Sequence, residues 1–148
     1  MRTSSRRDPF AVYEPLVDAQ NAHDVEAMLE CFDPDYTSEQ PAHPARAFTG
    51  TDQVRRNWSM LLGAIPDFHA KVLRTAVTGE TVWSEARYSG TKGDGSRLDA
   101  MVVTIFGLRE GLIVWGRLYI DEVEHDGPDI NESVRDLTGT EADASSHD

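Results

Sequence analysis

Near residue 67 the spacing of apolar residues changes from a mainly helical to a strand-like period. Before that point Phe10, Tyr13, Leu16 and Val17 recur at helical spacing behind Asp8 as a cap and Pro9 at the first position. Pro15 falls inside this segment and predicts a kink or a restart. A second helix is predicted from Asp24 through Ala27, Met28, Cys31 and Phe32, ended by Asp33-Pro34-Asp35. Tyr36 to Gln40 reads as a short strand, followed by a loop with Pro41, His43, Pro44 and Gly50. Thr51 or Asp52 caps a third helix that carries Val54, Trp58, Leu61 and Leu62 and stops before Pro66.

Beyond it, residues 68–77, 81–89, 98–108 and 112–120 are rich in Val, Ile, Tyr and Trp and read as four strands. Thr78-Gly79-Glu80 and Arg109-Glu110-Gly111 predict tight hairpins, and Lys92-Gly93-Asp94-Gly95-Ser96 a longer flexible link. Helices followed by an antiparallel meander predict an α+β fold in which a curved sheet wraps the helices. One domain is expected over 8–121, after a disordered N-terminus at 1–7.

The chain has 148 residues, 39% of them hydrophobic, which suffices for one core without disulfide or metal staples. Its net charge of -12 argues against nucleic acid and anionic membrane surfaces as partners. That charge is uneven: residues 122–148 hold nine acidic residues against Arg135 alone, leaving the body near -4. This acidic tail has room for a short amphipathic helix at 129–138, with Asp129-Ile-Asn-Glu132 as a capping box and Ile130, Val134 and Leu137 on one face. No stretch reaches the ~20 apolar residues of a membrane span, and no signal-peptide core follows the N-terminus, so a cytoplasmic protein is expected. The five histidines, at 23, 43, 69, 125 and 147, have no paired spacing, and no phosphate-cradling glycine loop is present. Neither a metal nor another cofactor is expected. Cys31, the single cysteine, reads as a buried packing residue.

The segment Asn21-Ala-His-Asp-Val-Glu-Ala-Met28, Gly50 before a helix, Ile65-Pro-Asp-Phe-His69, and the Gly111 hairpin leading into Trp115-Gly-Arg-Leu-Tyr-Ile-Asp121 resemble the nuclear transport factor 2-like superfamily, in particular its SnoaL-like (polyketide cyclase-like) branch. The resemblance implies a cone-shaped α+β fold: three N-terminal helices packed in a strongly curved, mainly antiparallel sheet, enclosing a pocket. It also implies a homodimer through the outer sheet face. Its activities range from cyclisation and isomerisation to binding without chemistry, so the fold does not select among them.

Position by position, the resemblance implies several absences. Glu39-Gln40-Pro41 puts an amide where steroid isomerase-like members hold their carboxylate base, and that family's oxyanion donors align near Val103 and Leu16. Ala86, Tyr88 and Leu118 stand where limonene epoxide hydrolase-like members need Arg and two Asp. Gly116 and Leu118 occupy the acid/base places of polyketide cyclase-like members. Strand alternation turns Gly116, Leu118 and Ile120 towards the pocket and Trp115, Arg117, Tyr119 and Asp121 away; a one-residue bulge would reverse this.

Three readings follow. In the leading one, a small, largely apolar organic ligand sits among Leu16, Val17, Gln40, Trp58, Tyr88, Met101, Val103, Leu118 and Ile120, and Gln40, Tyr88 or His43 assists any reaction by proximity. In the second, Asp121 with Arg117 or Tyr119 forms a cyclase-like or hydrolase-like acid/base site. In the third, the outer face with Trp115, Arg117 and Tyr119 makes a non-catalytic dimer and the tail recruits a partner. Each polar candidate also has a structural reading: a hydrogen bond for Gln40 and Tyr88, core packing for Trp58, a solvated loop for His43, and a surface ion pair for Arg97 and Asp99.

Overall fold

The computed structural model describes residues 10–140; the expected disorder at 1–7 and the Asp8-Pro9 helix start lie outside them. Helices α1 (Phe10–Asn21) and α2 (Val25–Leu29) are followed by strands β1 (Phe32–Glu39) and β2 (Phe48–Thr49), then by α3 (Thr51–Ala64). Four long strands complete the body: β3 (His69–Thr78), β4 (Thr81–Thr91), β5 (Arg97–Arg109) and β6 (Leu112–Glu122). A last helix, α4 (Ile130–Thr138), follows a short linker.

The six strands form one sheet in the order β2-β1-β6-β5-β4-β3. Neighbours run antiparallel except β1 and β6, which are parallel. The α+β class expected from the change of period is therefore observed. Leu16, Met28, Val82, Val102 and Ile113 are fully buried where the first three helices meet the sheet. Register shifts interrupt the ladder between Phe32 and Thr37, Val72 and Arg74, and Gly107 and Leu108, and such irregularities bend the strands that carry them.

Local chemistry explains where elements begin and end. α1 runs through Pro15 as one helix; the carbonyl that the proline leaves without a donor belongs to Ala11, an exposed residue, so it is not buried without a partner. Asp24 caps α2 by accepting a hydrogen bond from the Ala27 N–H at 3.1 Å. The second helix is shorter than its apolar spacing predicts, since Phe32 opens β1 and the Ile113 N–H donates to the Cys31 carbonyl at 2.9 Å. Pro34 sits in the interrupted part of the β1–β6 ladder, where its missing N–H costs no pairing. Cys31 is buried, and burial pushes its thiol pKa up. The β5–β6 hairpin turns on Glu110 and Gly111, both at positive φ (53° and 80°), as a two-residue turn matched to strand twist requires.

Candidate functional site

A cavity of about 330 Å³ lies between the helices and the inner sheet face. α1 turns Tyr13, Leu16 and Gln20 into it, spaced as one helical face. α3 contributes Val54, Asn57, Trp58 and Leu61 from the opposite side. The sheet supplies alternate residues: Tyr36, Ser38 and Gln40 at the β1 end, Ala86 and Tyr88 from β4, Leu98 to Phe106 by twos from β5, and Leu118, Ile120 and Glu122 from β6.

Two groups of aromatic rings shape the walls. Trp58 and Tyr88 meet edge to face at 6.1 Å between centroids, backed by Phe68 at 5.5 and 5.0 Å. Facing them, Phe32 packs on Tyr36 at 4.7 Å and on Phe106 at 6.3 Å. Edge-to-face contacts are a favoured arrangement of aromatic rings, worth about 0.5–1.5 kcal/mol per pair beyond their buried area.

The polar groups inside are neutral. Ser84 and Thr104 share a hydrogen bond of 2.6 Å beneath the cavity floor, and the Tyr13 hydroxyl bonds both. Gln20 lies beside the Tyr88 hydroxyl and Ser38 beside that of Tyr36, each acting to lower the phenol's pKa. Burial raises the pKa of all three phenols, Tyr36 to about 12 against the partial offset of Ser38. They stay protonated at neutral pH and offer uncharged hydrogen bonds. Glu122 is the one carboxylate among the lining residues; it lies exposed on the rim and pairs with Lys92 at 3.0 Å. Gln40 accepts a hydrogen bond from Arg46 at 2.8 Å, which orients its amide at the β1 end. Among the described residues, no group of three or more His, Cys, Asp or Glu could hold a metal ion.

Of the residues singled out in the sequence, the cavity brings together Leu16, Gln40, Trp58, Tyr88, Leu118 and Ile120. Val17 does not line it: one position past Leu16, it packs partly buried against the core. Met101 and Val103 are corrections. The inward residues of β5 are Leu98, Ala100, Val102, Thr104 and Phe106, so Met101 and Val103 face outward opposite Asp121 and Tyr119. Both faces of β5 are apolar, and a one-residue offset exchanges them. His43 is exposed in its loop beside the short helical turn Pro44–Arg46 and lines no part of the cavity. Asp121 is exposed on the outer face, because β6 pairs with β5 in unbroken register from Trp115 to Glu122, its one irregularity lying before Trp115; this removes it as an acid/base for a ligand in the cavity. Asp99 holds Arg87 through two bonds of 2.7 Å and His125 at 3.0 Å, a surface cluster in which Arg97 takes no part.

Sequence reasoning missed Tyr13, Gln20, Tyr36 and Thr104. Tyr13 and Gln20 were findable, lying three residues before and four after Leu16 on the same helical face. Thr104 carries no signal of its own, since its role depends on Ser84 across the sheet.

A family profile described as a SnoaL-like domain matches residues 13–116. No curated protein matches the chain. Solved structures do, with the same fold. IdmH from Streptomyces antibioticus, a candidate polyketide cyclase, is 22% identical with a TM-score of 0.68, over 78% of this chain and 93% of its own. A candidate SnoaL-like polyketide cyclase from Jannaschia sp. CCS1 is 22% identical with a TM-score of 0.68, over 82% and 90%. A protein with a ketosteroid isomerase-like fold from Catenulispora acidiphila, in complex with trimethylamine, is 19% identical with a TM-score of 0.65, over 73% and 83%.

Proposed function

The chain belongs to the SnoaL-like domain family, and on that premise we propose that it binds a small, largely apolar organic molecule in the cavity between α1, α3 and the inner sheet face. One observation carries the reading: about 330 Å³ of space walled by aromatic and aliphatic side chains, with neutral hydroxyls and amides as its inner polar groups. Such a site favours an uncharged ligand, because an ion entering it would lose its hydration without gaining a counter-charge. Any reaction there proceeds by shape and proximity, with Gln40 and Tyr88 orienting a carbonyl or hydroxyl of the ligand.

The test is a titration with neutral mono- and bicyclic compounds, read by tryptophan fluorescence and thermal shift. Binding is expected to quench Trp58, and Gln40→Ala is expected to weaken it about tenfold, the effect of losing one net hydrogen bond of about 1.4 kcal/mol. A protein that binds no neutral compound, or binds one with no change at Trp58, would overturn the reading.

A homodimer through the outer sheet face is a second part of the proposal. Trp83, Trp115 and Tyr119 are partly exposed on that face, and exposed aromatic clusters on a folded domain are characteristic of association surfaces.

A further inference from the structure

Three amide side chains line the cavity, and they differ in depth. Asn57 is exposed and Gln40 half-buried, and each is held by its own segment: Gln40 accepts from Arg46 at 2.8 Å and Asn57 from Gln53 at 2.7 Å. Gln20 is different. It is 7% exposed near the end of α1 and turns into the cavity one helical turn after Leu16.

Among the described residues, the Tyr88 hydroxyl is the one group that stands beside the Gln20 amide as a partner. An amide brings two N–H donors and a carbonyl with two lone pairs, and a single hydroxyl takes up only one of these. Whichever way the amide is turned, one N–H and a carbonyl lone pair are left over, in a buried place where unmade hydrogen bonds are costly. Water entering a polar corner of a cavity serves such groups until a ligand that makes the same bonds displaces it.

The surroundings narrow what that ligand carries. Ala86 and Ala100 flank Tyr88 on the inner sheet face, the first two residues before it on β4 and the second opposite it on β5, and their small side chains keep the wall low beside the phenol. Glu122, the carboxylate of the lining, stands away at the exposed rim with Lys92. A charged group beside Gln20 would therefore be desolvated without a counter-charge, so the matching group is neutral. A ketone or a lone hydroxyl acceptor would serve the N–H and leave the Gln20 carbonyl unmatched. A carbonyl with an N–H beside it, as in a cyclic amide, serves both at once.

We infer that Gln20 is a specificity-determining residue of the cavity and that the ligand is a neutral ring carrying a cyclic amide: its carbonyl oxygen accepts from the Gln20 N–H, and its own N–H donates to the Gln20 carbonyl. This rests on the ligand-binding reading above and narrows it from an apolar molecule to an apolar ring with one donor–acceptor edge. Discrimination then comes from the bonds that a wrong ligand leaves unmade.

The experiment measures the affinity of the full chain for 2-quinolone, N-methyl-2-quinolone and quinoline by isothermal calorimetry, together with Gln20→Leu and Gln20→Met. The second probe lacks the N–H donor, and the third lacks both donor and carbonyl. The unaltered chain is expected to bind 2-quinolone about tenfold more tightly than either, and in both variants the three affinities are expected to fall within about twofold of one another. Urea unfolding supplies the second readout: an amide without a partner in the fold is replaced by Leu or Met with no loss of stability. A preference for 2-quinolone that survives both substitutions, or no preference in the unaltered chain, overturns the role of Gln20 and leaves the apolar-ligand reading standing. Lower stability in both variants also overturns it, since the amide is then paired within the fold. If the unaltered chain binds none of the three compounds, both the role of Gln20 and the ligand-binding reading fall.

Discussion

The Tyr36 hydroxyl fills the space that a side chain at Gly116 would occupy. A Cβ built there would stand 2.5 Å from the phenol oxygen and 2.8 Å from the Phe106 ring. The resemblance to polyketide cyclase-like proteins implies an acid/base side chain at position 116. Here β6 contributes empty space, and β1 reaches across its parallel neighbour to fill it with a neutral phenol. Gly116→Ala is therefore expected to displace Tyr36, destabilise the fold by about 1–3 kcal/mol through overpacking and weaken ligand binding. Denaturant unfolding measures the first effect and fluorescence titration the second.

Tyr36 also sets an alkaline limit. Its pKa is about 12 in the fold, raised from an ordinary value of 10 by burial. The folded state holds this proton more tightly than the unfolded chain, so the contribution is complete below pH 10 and is lost as pH rises towards 12. Two pKa units correspond to about 2 to 3 kcal/mol for this buried group. Urea titrations between pH 8 and 12 should show stability falling over that window, and Tyr36→Phe should make the fall shallower.

Asp99 sets the corresponding acid response. Hydrogen bonding to Arg87 is the largest cause holding its pKa near 2, with His125 adding to it. A depressed carboxylate stabilises the fold above its unfolded pKa of about 4 and loses that contribution as pH falls through 2. Melting temperatures between pH 2 and 6 should therefore depend less on pH in Asp99→Asn.

Ser84 and Thr104 form a buried hydroxyl pair bonded to Tyr13. Ser84→Ala leaves its partners short of a hydrogen bond and is expected to cost about 1–3 kcal/mol. Adding Thr104→Val removes a second polar group from the same network, so the double variant should cost less than the sum of the singles. A full set of four unfolding curves checks this.

The two sides of the sheet are separable by substitution. Leu118→Trp adds bulk inside the cavity and is expected to abolish binding of compounds that the unaltered protein accepts, while Met101→Leu, on the outer face, should leave their affinity unchanged. Isothermal calorimetry with one such compound measures both.

The sequence by itself determined the order of the helices and of the four long strands, since apolar spacing and turn residues encode them locally; it did not show the start of β1 at Phe32 or the short β2 at Phe48–Thr49. For β6 the alternation of Arg117 and Asp121 with Leu118 and Ile120 favoured one inward side but left its reversal by a bulge open, and the unbroken register from Trp115 to Glu122 decided it. β5 offered no such contrast. Met101 and Val103 are as apolar as Ala100 and Val102, so only its pairing with β4 and β6 decided which set meets the cavity. Phe32 followed the same rule: helical spacing placed it at the end of α2, and contact with β6, eighty residues away, drew it into a strand. The polar interior was decided by tertiary structure alone, for Tyr13, Ser84 and Thr104 meet only when α1, β4 and β5 are folded together, and no local pattern records a hydrogen bond between distant strands.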